Sequence, residues 1–251
     1  MNTKTSKTAR TLAPHPGGGG FVLPFTTVDV VIFTLLEGEL QVLLVQRPGT
    51  ADEPFPGRWA LPGGYVDVAR DTNLLACARR KLKDKTGITS PYLEQLGSWG
   101  SRGRDPRGWS ATHVYFALVP AADLKPMKGA NAADVAWVPA DAVVNHRSLA
   151  FDHGEIFEAA VERLRSKVEY TSLPAYLLPE PFTLPQLQRA YEVILGRPVD
   201  KSGFRTRTLA ADFLDEVGTA EGESNRTAAA YRLRDRERVV TFPRTFSPRS
   251  P

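Results

Sequence analysis

Trp59 to Ile88 reads WALPGGYVDVARDTNLLACARRKLKDKTGI, and its second half has the apolar spacing of a helix. Leu74, Ala78 and Leu82 recur at i, i+4 and i+8, so they form one stripe that a core can cover. Asp71-Thr72 precede the stripe as the candidate N-cap. The helix is expected over about residues 73–86, and Gly87 is its natural stop. Residues 81, 84 and 85 share a second side of that helix, and they are Lys81, Asp84 and Lys85. Magnesium binds mainly to oxygen, so Asp84 between two ammonium groups is a poor metal site. With Arg80, the two lysines can instead attract an anionic diphosphate directly. The plainer reading of the same residues is a solvated helix face.

Upstream, Thr26 to Leu36 is rich in β-branched and aromatic residues, Glu37-Gly38-Glu39 makes a turn, and Leu40 to Gln46 returns, so the pair reads as a hairpin. The loop from Arg47 to Arg58 is polar and leads to the Gly63-Gly64 turn, which Arg47, Arg58 and Trp59 flank as candidates to meet phosphate or adenine. Trp59 reads equally well as a core residue. Downstream, strands fit 92–100, 112–119 and 134–138, and a helix follows from about His153 to Lys167.

The texture changes near residue 170. Pro174, Pro179, Pro181 and Pro185 punctuate a stretch that reads as a connection between two domains. Thr183 can cap a helix that carries Pro185 in its first turn and runs to about Leu195. Gly196-Arg197-Pro198 turns the chain, and Asp200 caps a second helix expected from Lys201 to Glu216, ended by Gly218. Two helices across such a turn outline a helix-turn-helix. Ala229 to Arg234 and Glu237 to Phe242 are expected to pair around Asp235-Arg236 as a wing.

In a helix-turn-helix the start of the second helix reaches base edges in the major groove. Here that start offers Lys201, Arg205, Thr206 and Arg207. Arg205 is the best suited by type, because a guanidinium can bind guanine O6 and N7 together. Phe204, Leu209 and Phe213 are expected to pack inward. From Ser224 to Pro251 seven arginines face only Asp235 and Glu237. Arg226, Arg232 and Arg234 are the wing candidates for phosphate contacts, and Arg232, Arg234, Arg236 and Arg238 would share one face of an extended strand. The alternative is a hairpin edge kept soluble by charge.

The 251 residues, 42% apolar and 24% charged, are those of a globular protein with one large domain or two ordinary ones. A net charge of +4 suits a nucleic-acid partner without establishing one. Cys77 is the only cysteine, which excludes an internal disulfide and a cysteine zinc site. No apolar run approaches the ~20 residues of a membrane span, so no membrane role and a cytoplasmic location are expected. Residues 1–24 read as a flexible basic arm with Lys4, Lys7, Arg10 and a run of four glycines.

Leu61 to Gly64, Arg79 to Leu82 and Lys85-Thr86-Gly87 resemble the signature of the Nudix-related transcriptional regulators of NAD metabolism. So do Thr27 to Thr34 with Leu43 to Val45, Leu149 to His153 with Glu162 to Arg165, Leu178 to Gln188, and Tyr231 to Leu233. A working Nudix box carries glutamates at positions 81, 84 and 85, where this chain has Lys, Asp and Lys. Its span from Gly64 to Arg80 is two residues longer than the usual spacing. Asn225 to Ala230 departs from the Arg-Pro-Ala stretch common before the wing.

The resemblance implies a Nudix-like α/β/α sandwich, residues 25–169, followed by a winged helix-turn-helix domain, residues 170–251. It implies a homodimeric repressor of NAD-biosynthesis genes on palindromic double-stranded operators. Its effector would be ADP-ribose, NAD or an ATP-like nucleotide, with no cofactor, no catalytic residue and no metal site. The ligand-binding set is then Arg47, Arg58, Trp59, Arg80, Lys81, Asp84 and Lys85. Two other functions compete. An active ADP-ribose pyrophosphatase would need compensating carboxylates among Asp67, Asp71 and Asp84. A nucleotide-binding adaptor would use its second domain on protein rather than DNA.

Overall fold

The computed structural model describes residues 23–87, 92–123, 134–145, 149–221 and 227–243. The fold grows from strand β1 (Phe25–Leu36), whose run Val28 to Phe33 is buried throughout. Val28, Val30 and Ile32 point to one face of the sheet, and Val31 and Phe33 to the other. A strand apolar on both sides must be covered on both sides. β1 pairs antiparallel with β2 (Glu39–Gln46) across Glu37 and Gly38, which both have positive φ as a two-residue hairpin turn requires.

On its other side β1 runs parallel to β6 (Ser110–Leu118), which carries the edge strand β5 (Tyr92–Ser101). The short strands β3 (Trp59–Ala60) and β4 (Gly63–Tyr65) and strand β7 (Asp134–Pro139) complete a seven-stranded sheet.

Helix α1 (Leu74–Thr86) covers the first face, with Cys77, Ala78 and Leu82 buried against Val28, Val30 and Ile32. Gly87 ends it in the left-handed region at φ 75°. The N-cap lies one residue past the expected Asp71-Thr72 pair: Asn73 accepts from the Ala76 N–H at 2.8 Å. Asp71 does not cap, because a stronger partner, Arg80, takes its carboxylate. Helix α2 (Ala140–Asn145) follows β7, and α3 (His153–Val168) covers the second face through Ile156, Phe157, Ala160 and Leu164.

The C-terminal unit holds β8 (Phe182–Thr183), α4 (Leu184–Leu195), α5 (Lys201–Ala210), β9 (Leu214–Glu221) and β10 (Thr227–Leu233), the strands in the order β8-β10-β9. Thr183 and Gln186 form a capping box, and Gly196 stops α4 at φ 68°. Asp200 caps α5 through the Gly203 N–H at 2.7 Å.

Here the structure corrects two expectations. Helix α5 ends at Ala210, not Glu216, because Asp212 adopts a left-handed φ of 52° and Phe213 turns into the core against Phe242. The residues beyond it become β9, and β9, not 237–242, is the wing partner of β10. Long-range pairing overrides the local turn signal at Asp235-Arg236.

The proline-rich stretch lies between the two units and is packed at its start, while Pro179, Pro181 and Pro185 stay exposed. Thr171 to Leu177 is buried throughout, and one apolar cluster joins Val31, Phe33, Leu164 and Val168 to Tyr176, Leu187, Tyr191, Phe204 and Phe242. The chain's last described segment returns to this stretch: Ser172 N–H donates to Val240 O at 2.9 Å, and Phe242 N–H donates to Tyr170 O at 2.7 Å.

Candidate ligand pocket and nucleic-acid interface

On α1, Lys81 folds back over the glycine turn. A Cβ at Gly64, where φ is 138°, would lie 2.8 Å from the Lys81 ammonium, and one at Gly63 would overlap the Asp29 carboxylate. Gly63 is therefore needed to admit the Asp29 carboxylate, and Gly64 for its left-handed φ where the Lys81 ammonium approaches. Lys81 and Lys85 are half-buried. Burial pushes both ammonium groups down from the usual lysine range, helped by Arg80 beside Lys81 and by Lys81 beside Lys85. Asp84 is exposed.

Arg80 has a different occupation from the one its position suggested. Its guanidinium grips Asp71 in a fork of 2.7 and 2.5 Å, and Asp71 also accepts from the Asp67 N–H at 2.8 Å. The Arg80 hydrogen bonds hold the Asp71 carboxyl well below the usual carboxylate range, against the opposing effect of burial. Arg80 thus pins the loop before α1 rather than standing open to a diphosphate. Among the described residues no three His, Cys, Asp or Glu side chains converge as metal donors.

A second group of side chains meets around Phe151. The Arg47 guanidinium stacks 4.9 Å from the Phe151 ring centre while bonding Glu53 at 2.6 Å and Pro54 O at 2.7 Å. Phe55 meets Phe151 edge-on at 4.8 Å, and Arg58 lies 5.7 Å over Phe55. Arg107, forked onto Asp105, lies 5.5 Å over Tyr65. Arg47 and Arg58 are thus brought together. Trp59 is not part of this group: it pairs in β3, its carbonyl accepts from the Ala150 N–H at 2.8 Å, and its ring packs on the main core.

Phe55, Tyr65, Arg104, Arg107 and Phe151 are not among the sequence candidates, since they come from three separate loops and the end of β4, without a periodic signal. Phe55 and Phe151 have φ of 55° and 58°, a conformation that is uncommon and strained for bulky side chains. Backbone strain of this kind costs about 1–3 kcal/mol per residue and persists where the surroundings enforce it.

At Phe151 a buried polar network enforces it. Arg104, only 7% exposed, forks onto Asp152 at 2.8 and 2.9 Å and donates to Ser110 at 3.2 Å. Thr112 donates to Asp29 at 2.6 Å. The Leu61 N–H donates to His153 Nδ1 at 2.9 Å, which leaves the proton on Nε2, 3.6 Å from Asp29. Burial alone would raise the Asp29 carboxyl. His153, Thr112 and Arg104 outweigh it and set the carboxyl below its ordinary value. Phe151 is therefore fixed from beneath by groups that also anchor the start of α3.

At the other end of the molecule α5 shows Lys201, Arg205 and Thr206 to solvent, while Phe204 and Thr208 are buried. Arg207 is half-buried, and its charge lies close enough to Tyr191 to act on that phenol. Phe204 and Phe213 pack inward as expected. Leu209 does not: it is 41% exposed, since the helix turns its stripe away from the core before ending.

The arginine stripe of the wing is not formed. Arg232 is exposed on β10, 3.6 Å from Asp215. Beyond Leu233 the extended run ends, and Arg234 is held by Asp212 at 2.6 Å and Asp215 at 3.0 Å while Arg236 meets Glu180 at 3.2 Å. Arg226 and residues 1–22 of the basic arm lie outside the described residues.

Comparison with known proteins matches residues 25–160 to the NUDIX domain and residues 174–233 to the NrtR DNA-binding winged helix domain. The ADPR responsive transcriptional repressor NtrR of Acinetobacter baylyi is 43% identical over 222 residues, 88% of this chain and 86% of that protein. Shewanella oneidensis NrtR, solved in complex with a 27mer DNA, is 42% identical with a TM-score of 0.79, covering 88% of this chain and 98% of that one. The ADP-ribose pyrophosphatase of Methanocaldococcus jannaschii is 30% identical over 138 residues, 55% of this chain and 73% of that protein.

Proposed function

Because the chain belongs to the family of NrtR-type Nudix-related transcriptional regulators, we propose that it is a DNA-binding repressor of NAD-metabolism genes whose Nudix domain binds ADP-ribose without hydrolysing it. The observation that carries this reading is Lys81 beside the Gly63-Gly64 turn, with Lys85 one helical turn on, in the place of metal-binding carboxylates. Hydrolysing a pyrophosphate calls for divalent ions to neutralise phosphate and activate water. Two fixed ammonium groups repel such ions and neutralise the phosphates themselves.

The Arg47, Arg58 and Arg107 guanidiniums then complete a cationic rim. The Phe55 and Phe151 rings, set edge-on, offer apolar surface to the adenine ring. At the DNA end Lys201, Arg205 and Thr206 face the major groove, Arg205 reads a guanine, and Arg232 meets phosphate. Two copies on a palindromic operator place two α5 helices one helical turn apart.

Mobility shift of candidate NAD-gene promoter DNA tests the reading. Retardation that changes on adding ADP-ribose is expected, and no retardation of any such promoter contradicts it. Resemblance to the archaeal pyrophosphatase favours turnover as the second reading. The geometry is against it, since Arg80 already saturates Asp71, one of the carboxylates it would need. Release of AMP from ADP-ribose with magnesium, lost in Asp84→Ala, would establish it.

A further inference from the structure

The pocket around Phe151 and the recognition helix α5 lie in different units, yet one helix touches the surroundings of both. The first turn of α3 begins at Asp152-His153. Asp152 is fixed by Arg104 and follows Phe151, on which Arg47 stacks. Sixteen residues on, about 24 Å along the axis, the other end of α3 grips the helix-turn-helix. Glu169 accepts from Arg197 in the α4–α5 turn at 2.6 Å. Arg165 donates to Ile194 O, in the last turn of α4, at 3.1 Å, and reaches Asp141 at 3.3 Å.

Beside this latch lies a tight pivot. Tyr191 of α4 donates to Thr171 O at 2.6 Å, and Ser172 exchanges hydrogen bonds of 2.9 Å with Val240 through its backbone N–H and its hydroxyl. Thr171 and Ser172 are buried.

The latch side is packed differently. Two open clefts, of about 460 and 490 Å³, meet at Arg165. The first separates Gly38, Glu39 and Pro139 of the sheet unit from Arg189, Glu192 and Pro198 of the helical unit. Apolar packing therefore fixes one side of the joint, and charged clasps beside open space hold the other. Such a joint can rotate about its packed side when its clasps re-form.

We propose that α3 is the transmission element between the two sites. Effector bound against Phe151 displaces the first turn of α3, and the Glu169–Arg197 and Arg165–Ile194 clasps carry that displacement to the α4–α5 turn, which sets where α5 stands. The inference rests on the ADP-ribose-responsive repressor reading. It adds that reading's route: the response passes through these two clasps, and the pivot at Thr171–Ser172 stays closed. An effector moves an equilibrium only by its differential affinity for the two arrangements, so cutting the clasps removes the response without removing either binding event.

The test uses the full chain and operator DNA, with fluorescence anisotropy for operator affinity and calorimetry for ADP-ribose. In the wild type, saturating ADP-ribose is expected to change operator affinity by about tenfold or more. Arg197→Glu is expected to bring that ratio to within about twofold of unity, while ADP-ribose affinity stays within about threefold of wild type. The charge swap Glu169→Arg with Arg197→Glu is expected to restore at least half of the response on a logarithmic scale.

A wild-type ratio in Arg197→Glu overturns the inference and leaves the repressor reading standing. A swap that folds, binds both ligands and stays unresponsive also overturns it, because restored charge complementarity should restore transmission. A wild-type chain that binds operator but ignores ADP-ribose removes the functional reading itself. Should Arg197→Glu not fold, Glu169→Gln is judged by the same ratio.

Discussion

Helices α1 and α5 are both cationic, and they use their charge in opposite ways. On α1 the lysines at 81 and 85 are half-buried, one laid over Gly64, and the neighbouring Arg80 is committed to Asp71. On α5, Lys201 and Arg205 stand in solvent. Partly buried charge acts at short range and resists screening by salt. Exposed charge steers a polyanion from a distance and fades with ionic strength. A small ligand held in a pocket needs the first kind, and a long polyanion needs the second. The comparison teaches that net charge, +4 for the whole chain, says little until each cation is placed.

The difference can be broken at either helix. Lys81→Glu with Lys85→Glu should have the largest effect: about 3 kcal/mol, or roughly 100-fold, on ADP-ribose affinity by calorimetry, with operator affinity in the absence of effector unchanged. Arg205→Ala should do the reverse. Operator binding should weaken by about 2 kcal/mol and lose preference at one base pair, with ADP-ribose affinity unchanged. Equal losses of both ligands in either variant would show that the two helices do not divide the work as described.

Smaller effects sharpen the contrast. Thr183→Ala removes the capping box of α4 and should cost about 1 kcal/mol in thermal stability, since Thr183 is buried and its hydroxyl satisfies the Gln186 N–H. The pH response should be smaller still. Lys81 and Lys85 titrate below the ordinary lysine range. They carry charge below their lowered pKa values and lose it above them. ADP-ribose affinity should therefore decline on the alkaline side before free lysine would deprotonate. A flat calorimetric profile for ADP-ribose would remove the lysines from the pocket.

Much of this was legible in the sequence because local rules and tertiary structure agree. The stripe of α1, the Glu37-Gly38 hairpin and the Thr183 cap of α4 each stand on spacing or turn chemistry alone. The rest depends on partners far along the chain. Asp71 caps nothing because Arg80, nine residues on, binds it instead. Residues 214–221 leave the helical pattern because β10 pairs with them and Phe213 finds Phe242. The prolines near 174 mark the connection between the units, but its packing depends on Tyr191 and the returning segment at Val240, which close over their neighbours Thr171 and Ser172. The Phe55–Phe151 pair spans nearly a hundred residues and rests on two positive φ angles, which composition does not betray.

The most direct test of the central claim mixes purified chain with ADP-ribose in EDTA and, separately, in magnesium, measures affinity, and then recovers the nucleotide for mass spectrometry. Equal affinity in the two buffers with the ADP-ribose recovered whole is the predicted result. Binding that needs magnesium, followed by AMP and ribose 5-phosphate in the recovered material, would contradict it.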